Sequence, residues 1–494
     1  MKRPLRRLGT AVIVMIGLLL ANFAYTQVIK ADDYRADPNN KRTLVAEYSR
    51  QRGQITAAGG VVLARSDPVN DQYQYQRVYP GAGMYANLTG YYSMRYGPTG
   101  LERNQNEILS GDSPELIAGQ LSDLITGRDP RGGNVELTVV PAVQQAAYTA
   151  MTDKKYVGAV VAIEPSTGKI LAMVSTPSYN PNPLASHSDA VQRKAYNALL
   201  NDDPSPLVNR ATGAVYPPGS TFKLVIAAAA LQQEYTPQTP VTGKSKINLP
   251  DTGGATLSNF GGETCGNGGG ADVSLTEALA FSCNTAFAQV AMSVGTVPIR
   301  RQAEALGIDV APPPDIGVDL VGSRLGDVPD TAALAQTGIG QRDVAMSPFQ
   351  MAWITATIAN RGDQMAPHLI AKTTKPDLSV ISQTQPESLG QAIPIPVADE
   401  VRDMMVASEK ETLGSGAISN LVIASKTGTA EHGTDPKHTP PHAWYVAFAP
   451  ADNPKVAVAV MVENGGGLGL DATGSKVAAP IGRSVIAAAL AGGP

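Results

Sequence analysis

The first pattern along the chain is a basic segment followed by a long apolar run. Four basic residues lie within the first seven positions, and an uncharged stretch follows from about Thr10 to Ile29. A helix of roughly 20 apolar residues spans a bilayer, and its basic flank stays on the cytoplasmic side. A cleaved signal peptide is the alternative, but the run is long for one and Asn22-Phe23-Ala24 fits the small-x-small cleavage rule poorly. The pattern predicts a cytoplasmic tail at 1–9, a transmembrane anchor at 10–30 and an extracytoplasmic remainder.

Short strand patterns dominate the next segment, 31–154. The run RGQITAAGGVVLARS, at Arg52 to Ser66, has two strand patterns around a Gly-Gly turn. A break follows at GRDPRGGN, Gly127 to Asn134, and a helix is expected to open near Pro141. We expect a small β-rich N-terminal domain here.

The remaining segment, 155–494, has strand patterns at both ends. Val157 to Thr176 holds two apolar runs around a turn, which predicts a hairpin. Three more strand patterns lie near the end of the chain, in LVIASKTG, AWYVAFA and KVAVAVMVEN, before a closing helical pattern. A long stretch of helical pattern, from about Thr221 to Ser408, lies between the two groups. The pattern predicts an α+β domain with an antiparallel sheet and a helical insert.

Composition and charge narrow the picture further. The chain has 494 residues, 43% of them apolar and 17% charged, which is typical of a globular protein of more than one domain. The net charge of −4 gives no indication of a nucleic-acid partner.

A serine precedes a lysine by three residues where the helical stretch begins. Pro217-Pro218-Gly219 forces an extended approach, and Ser220 and Lys223 then share one face of an apolar helix. The helix N-terminus favours developing negative charge. A buried Lys223 would lose its proton because desolvation lowers an ammonium pKa, so it could activate Ser220 as a nucleophile. The alternative is a helix-capping serine followed by a lysine that reaches solvent.

Two further short motifs follow in order. Ser282-Cys283-Asn284 interrupts an apolar run, which suggests proton relay by Ser282 and amide binding by Asn284, or a helix cap at a kink. Lys426-Thr427-Gly428-Thr429 ends an apolar strand, where Lys426 and the hydroxyls could hold a carboxylate, or form only a strand-end turn. The amides of Thr429 and Ser220 could together form an oxyanion hole.

The cysteines and histidines suggest further features. In an exported chain, Cys265 and Cys283 suggest a disulfide, worth about 3 kcal/mol for the loop it closes; two buried free thiols are the alternative. His432, His438 and His442 lack the spacing of metal ligands, so we expect them in a polar loop over the site.

With these motifs in view, the chain resembles the class B penicillin-binding proteins, the monofunctional D,D-transpeptidases of peptidoglycan synthesis. The resemblance also rests on RGQI at Arg52, GIGQRDVAMSPFQMA at Gly338 and KTGTAEHG at Lys426. It covers essentially everything after the anchor and is strongest to the short actinobacterial type called penicillin-binding protein A.

The resemblance implies the penicillin-binding transpeptidase fold, with a five-stranded antiparallel sheet flanked by helices, a helical subdomain and an N-terminal pedestal. It implies that Ser220 attacks the penultimate D-alanine of a stem peptide, that β-lactams acylate the same serine, and that no metal or organic cofactor takes part. It assigns catalysis to Ser220, Lys223, Ser282, Asn284 and Lys426, and substrate or oxyanion binding to Thr427, Gly428 and Thr429. The expected partners are stem peptides, β-lactams and, through the pedestal, a membrane glycosyltransferase or division proteins.

Three other functions were weighed against this interpretation. A β-lactamase or D,D-carboxypeptidase passes the acyl group to water, but the E-x-x-L-N context of a deacylating glutamate is not found in the sequence. A membrane-bound β-lactam sensor needs more than a nine-residue cytoplasmic tail to signal. A division scaffold with a vestigial site would not need all five catalytic side chains.

Overall fold

The computed structural model describes residues 2–30, 45, 47–116, 131–311, 316–412 and 416–492. Parts of the predicted pedestal, including residues 127–130 of the predicted break, lie outside these ranges. Helix α1 at the N-terminus exposes its apolar side chains, and its segment Arg6–Ala24 is long and apolar enough to cross a membrane. Membrane anchoring is therefore consistent with the fold.

The helices are, in chain order, α1 Lys2–Ala24, α2 Ala86–Thr89, α3 Gly100–Asn104, α4 Asn106–Ser110, α5 Pro141–Thr152, α6 Asp189–Leu200, α7 Lys223–Leu231, α8 Leu275–Ala280, α9 Asn284–Val294, α10 Thr296–Ala305, α11 Thr331–Thr337, α12 Pro348–Ala359, α13 Ile395–Glu411 and α14 Gly474–Ala491.

The strands are β1 Ile55–Thr56, β2 Val62–Pro68, β3 Tyr75–Val78, β4 Tyr92–Ser93, β5 Gly97–Pro98, β6 Asn134–Leu137, β7 Gly158–Ile163, β8 Ile170–Thr176, β9 Pro240–Val241, β10 Lys246–Asn248, β11 Thr256–Ser258, β12 Val273–Ser274, β13 Asp363–Met365, β14 Ile370–Thr374, β15 Val380–Gln383, β16 Ser388–Gln391, β17 Ala424–Ala430, β18 His442–Ala449 and β19 Val456–Val462.

The five-stranded sheet is the centre of the catalytic part of the fold. Its order is β17-β18-β19-β7-β8 and every pair is antiparallel, which confirms the predicted hairpin and the three strands from the end of the chain. Helices α5 and α14 cover one face and α12 covers the other. Every residue of β18 and β19 is buried, which explains their continuous apolar sequences. Strand β17 lies at the edge, and no strand of the described residues pairs with its outer side.

The helical subdomain surrounds α7, which is buried at all nine of its positions. Helices α9, α10 and α13 pack around it. Small alanine side chains on α7 let these neighbours approach closely, and the absence of a polar face is what a fully enclosed helix requires. The start of α7 is thereby held rigidly beside the five-stranded sheet.

The second large sheet differs from the sequence expectation. Its order is β15-β14-β6-β1-β2-β3, so two of its strands come from residues 370–383, inside the stretch for which we expected helices. Strands β13 to β16 are short, and their exposed positions show no clean alternation, which is why no strand pattern was found. Helix α5, which we assigned to the pedestal, packs on β8 and α14 of the other sheet. The domain boundary at residues 154–155 stays a prediction. Strands β14 and β15 follow this boundary but belong to the six-stranded sheet, and helix α5 precedes it but packs on the five-stranded sheet.

Candidate active site

The turn that carries Ser220 is held against strand β17. Residues Gly219–Phe222 form a 3₁₀ turn that leads into α7, so the expected α-helix begins three residues later than Ser220. Gly219 has a positive φ of 52°, and its amide donates to the carbonyl of Gly340 at 3.0 Å. A Cβ on Gly219 would lie 3.0 Å from the carbonyl oxygen of Thr429. Glycine is needed here because both the backbone conformation and the close approach exclude a side chain.

Lys223 is completely buried below this turn. Its Nζ donates to the carbonyl of Ser282 at 2.6 Å and to Oδ1 of Asn284 at 2.8 Å. Burial, and then the nearby charge of Lys426, lowers the pKa of Lys223 well below its usual value. A neutral amine has two N–H donors and one lone pair. The two carbonyl-type acceptors use both donors, so the lone pair is left to accept a proton.

Ser282 and Asn284 lie at the kink between α8 and α9. Ser282 has a positive φ of 61°, an uncommon conformation for a residue with a side chain. Its Oγ lies 2.8 Å from the Nζ of Lys426 and 3.5 Å from the Nζ of Lys223, so it bridges the two lysines. The Nδ2 of Asn284 donates to the carbonyl of Ser258 at 3.2 Å, which fixes the amide orientation. The contacts with the two lysines hold this uncommon backbone conformation in place.

Lys426 completes the cluster from strand β17. It is fully buried, and its Nζ also donates to the carbonyl of Thr427 at 3.0 Å. Burial lowers the pKa of its ammonium to about 7. Two lysines that share one hydroxyl in a buried site disfavour a doubly charged state.

The residues after Lys426 lie beside the Ser220 turn. A Cβ on Gly428 would approach the carbonyl of Pro218 to 2.8 Å, so this position lets β17 and the turn pack in backbone contact. Thr427 and Thr429 are half-buried, and β17 is an edge strand of the sheet that the structure describes. The structure therefore brings all eight predicted site residues to one place, although they come from three segments as much as about 200 residues apart.

Several supporting residues were missed by sequence reasoning. The Nε1 of Trp444 donates to the carbonyl of Pro217 at 2.9 Å, and the hydroxyl of Tyr216 donates to Glu463 at 2.7 Å. Arg210 also pairs with Glu463, at 2.8 Å. These contacts tie the approach to Ser220 to strands β18 and β19. In the sequence, the only sign of these contacts is an aromatic residue inside a predicted strand. Such a residue does not by itself identify the group with which it forms a hydrogen bond.

The reverse face of β17 carries a second network that the sequence did not reveal. Glu409 of α13 accepts hydrogen bonds from Ser425 and, at 3.0 Å, from Tyr445. Arg483 of α14 pairs with the same carboxylate at 2.8 Å. Ser425 directly precedes Lys426, so the network anchors the strand that presents this lysine.

The prediction for the histidines was wrong for His442, which is the first residue of β18 and is buried. Its ring stacks on that of His432 with centroids 3.7 Å apart, and burial followed by the His432 charge lowers its pKa to about 3. His438 is exposed, as a loop residue would be. Within the described ranges, no three His, Cys, Asp or Glu side chains are grouped to hold a metal ion.

Cys265 and Cys283 form a disulfide in the structure, with Cα atoms 5.5 Å apart. Both residues are buried. Because Cys283 lies between Ser282 and Asn284, the bridge ties these two side chains to the loop that precedes β12.

Comparison with known proteins agrees with this geometry. Residues 158–487 match the family described as the penicillin binding protein transpeptidase domain, and residues 52–135 match the penicillin binding protein A dimerisation domain. The chain is 54% identical to the peptidoglycan D,D-transpeptidase PbpA of Mycolicibacterium smegmatis, over 99% of both chains. It is 51% identical to the PbpA of Mycobacterium tuberculosis, over 100% of both chains. The structure of M. tuberculosis penicillin-binding protein A as a ceftriaxone acyl-enzyme superposes with a TM-score of 0.88 at 51% identity, covering 90% of this chain and 100% of the other.

Proposed function

Because the chain belongs to the penicillin-binding protein transpeptidase family, we propose that Ser220 is the nucleophile of a peptidoglycan D,D-transpeptidase. The chain is a serine-type D,D-transpeptidase of cell-wall synthesis that β-lactams acylate. The observation that carries the residue assignment is the pair of buried lysines joined through Ser282, directly below the Ser220 turn.

The first half of the reaction forms an acyl-enzyme. Ser220 Oγ attacks the carbonyl carbon of the penultimate D-alanine, and its proton passes to the lone pair of neutral Lys223. The amides of Ser220 and Thr429 stabilise the oxyanion that develops. The C–N bond then breaks, and the leaving D-alanine amine receives a proton relayed through Ser282.

The second half transfers the acyl group to an amine. An amino group of a neighbouring stem peptide attacks the acyl carbon and loses a proton to the same basic group, and Ser220 Oγ leaves and takes that proton back as a hydroxyl. The new amide bond is the crosslink. Thr427, Thr429 and Lys426 hold the terminal carboxylate of the donor peptide through hydrogen bonds and charge, and Asn284 binds a substrate amide.

Hydrolysis of the acyl-enzyme is less consistent with the side chains of the site than transfer to an amine. The described hydrogen bonds of Lys223, Ser282 and Lys426 go to hydroxyl, amide and carbonyl groups, and none of them goes to a carboxylate that would activate water. The intact catalytic cluster also argues against a sensor or a scaffold without activity.

The proposed function predicts how the acyl group divides between water and an amine. With a donor peptide ending in D-Ala-D-Ala, crosslinked product should rise with acceptor-peptide concentration while the hydrolysed product falls. Mass spectrometry of both products measures this partition. Hydrolysed product that is independent of acceptor would identify a carboxypeptidase instead, although Ser220 would still be acylated.

The two lysines predict a specific pH dependence. The acylation rate should fall on the acidic side as Lys223 becomes protonated. The positive charge of Lys426 helps to lower the Lys223 pKa, so Lys426→Met should raise that pKa and move the acidic limb to higher pH. The measurement is the second-order rate of penicillin acylation against pH, with the exposed Lys244→Met as control. A limb that stays in place, or moves to lower pH, would show that the two charges are not coupled.

The remaining assignments concern the membrane and partners. We propose that α1 anchors the chain with its basic end in the cytoplasm and the catalytic domain outside. The first seven residues include four basic positions, which supports this orientation. The pedestal then stands between the membrane and the active site, where a glycosyltransferase or division protein could dock.

A further inference from the structure

Two motifs outside the catalytic cluster meet in the pedestal. Arg52-Gly53 precedes β1, and Arg131-Gly132 precedes β6. A Cβ on Gly53 would lie 1.7 Å from the carbonyl oxygen of Gly133, and a Cβ on Gly132 would lie 1.8 Å from that of Leu109. The two segments therefore cross in backbone contact, which glycine alone allows.

A cavity of about 450 Å³ opens beside this crossing. Its size is within the range of small-molecule binding sites. It lies over the face of the six-stranded sheet opposite the buried side chains of Ile55, Val135 and Leu137. A sheet face that is merely exposed to solvent would also be polar. The charges and hydrogen-bonding groups of the lining therefore decide whether the cavity is a binding site or only an exposed sheet face.

The lining is cationic and rich in hydrogen-bonding groups. Arg131 and Lys372 lie beside one carboxylate, that of Glu136, which pairs with Lys372 at 3.1 Å. The guanidinium of Arg52 is instead engaged by Glu102 and Asn106. The other polar lining side chains are amides and hydroxyls, from Gln51, Gln54, Thr56, Ser66, Asn134 and Thr374. Arg131 remains without a lining carboxylate, and the neutral groups can both donate and accept. This combination suits an oxyanion flanked by peptide amides.

A buried guanidinium pair supports the cavity wall. Arg52 and Arg77 donate to the two oxygens of Glu102, each at 2.6 Å, and all three side chains are at least nine-tenths buried. Nη1 of Arg77 donates to Gly53 at 2.7 Å and to Ser66 at 3.3 Å, and both of these residues line the cavity. Nη2 of Arg77 has no hydrogen-bond partner in the described part of the chain. A buried N–H without a partner is costly, and natural proteins seldom leave one without a reason.

We propose that this pedestal cavity binds a small oxyanion-bearing ligand, a carboxylate-rich peptide in the first place, between Arg131 and Lys372, with the buried pair Arg52 and Arg77 behind the wall. The site is separate from the Ser220 cleft and goes beyond the proposed transpeptidase function. Binding there requires no covalent step, so it is independent of whether Ser220 reacts.

Calorimetric titration of the full-length protein in detergent micelles tests the site. The probes are the tripeptide Ala-Glu-Ala with both carboxylates free, its analogue with both carboxylates amidated, and inorganic phosphate. We expect saturable binding of the free peptide and no binding of the amidated one. If phosphate competes with the free peptide, the cavity recognises the oxyanion itself, and phosphate is a second ligand that can supply this group.

Exposed lining residues provide the variants, because their replacement does not disturb the buried triad. Arg131→Ala and Lys372→Met should each weaken peptide binding by about tenfold, the effect of losing one charge-assisted hydrogen bond. Arg95→Ala removes a comparable half-exposed, ion-paired arginine elsewhere in the N-terminal part and should leave binding unchanged. Equal binding of the free and amidated peptides, or unchanged affinity in the Arg131→Ala, Lys372→Met double variant, would overturn the proposal.

Discussion

Replacement of Ser220 by alanine is expected to abolish covalent labelling by penicillin and to reduce crosslinking by roughly 10⁶-fold, the scale seen when a catalytic nucleophile is removed. The turn at Gly219–Phe222 and the close contact with β17 are made by backbone atoms, so Ser220→Ala keeps the cleft intact. Fluorescent penicillin labelling and assay of crosslinked peptide measure the two losses. Noncovalent binding of the donor peptide should remain.

A matched control separates the role of Ser220 from a general effect of losing a hydroxyl. Ser379→Ala removes an exposed hydroxyl between β14 and β15 and should label like the unmodified protein. Labelling of Ser220→Ala at the normal rate would show that another residue is the nucleophile.

Replacement of Lys223 is expected to slow acylation by about 10²–10⁴-fold, the usual contribution of a positioned general base. Lys223→Met replaces the side chain by an apolar one of similar length and removes the lone pair that we propose as the acceptor of the Ser220 proton. Lys223→Arg keeps a positive charge that does not dissociate in proteins. Both variants should be slow, because the proposed base is the neutral form of Lys223. The measurement is the rate of penicillin acylation, with thermal unfolding to confirm the fold.

The arginine variant distinguishes two roles for the lysine. If Lys223 acted only through its charge, Lys223→Arg would retain most of the activity while Lys223→Met lost it. The exposed Lys244→Met, in the same subdomain, should acylate at the normal rate.

The electrostatics explain why the site needs two lysines rather than one. A single buried lysine loses its proton through desolvation alone. The second charge lowers the Lys223 pKa further, and Ser282 Oγ lies within hydrogen-bonding reach of both amines. The proton that Lys223 takes from Ser220 is then readily passed on toward the leaving amine, because the neighbouring charge disfavours a protonated Lys223.

The sequence predicted the parts of the site whose signal is local. The apolar runs of β17, β18 and β19 follow from strand composition, and the five-stranded sheet is as expected, whereas Ser220 lies in a 3₁₀ turn just before the helix on which it was predicted. The positive φ of Ser282 has no local signal, since it depends on the partners that hold it. The same is true of the hydrogen bond from Trp444 to Pro217, which joins segments 227 residues apart.

The pedestal was harder to predict for a related reason. Strand β14 pairs with β6 across more than 230 residues of sequence, and β15 pairs in turn with β14; both strands are short, and β15 is largely exposed. A strand of four or five residues is defined by its neighbours more than by its sequence. The cavity beside Gly53 and Gly132 arises from such long-range pairing, so it became visible only in the structure.

Mass spectrometric mapping of the penicillin-treated protein would identify the acylated residue directly. We expect one penicillin per chain, carried by the proteolytic peptide that contains Ser220 and lost when Ser220→Ala is treated in the same way. Unmodified protein after treatment, or an adduct on a peptide that lacks Ser220, would contradict this expectation.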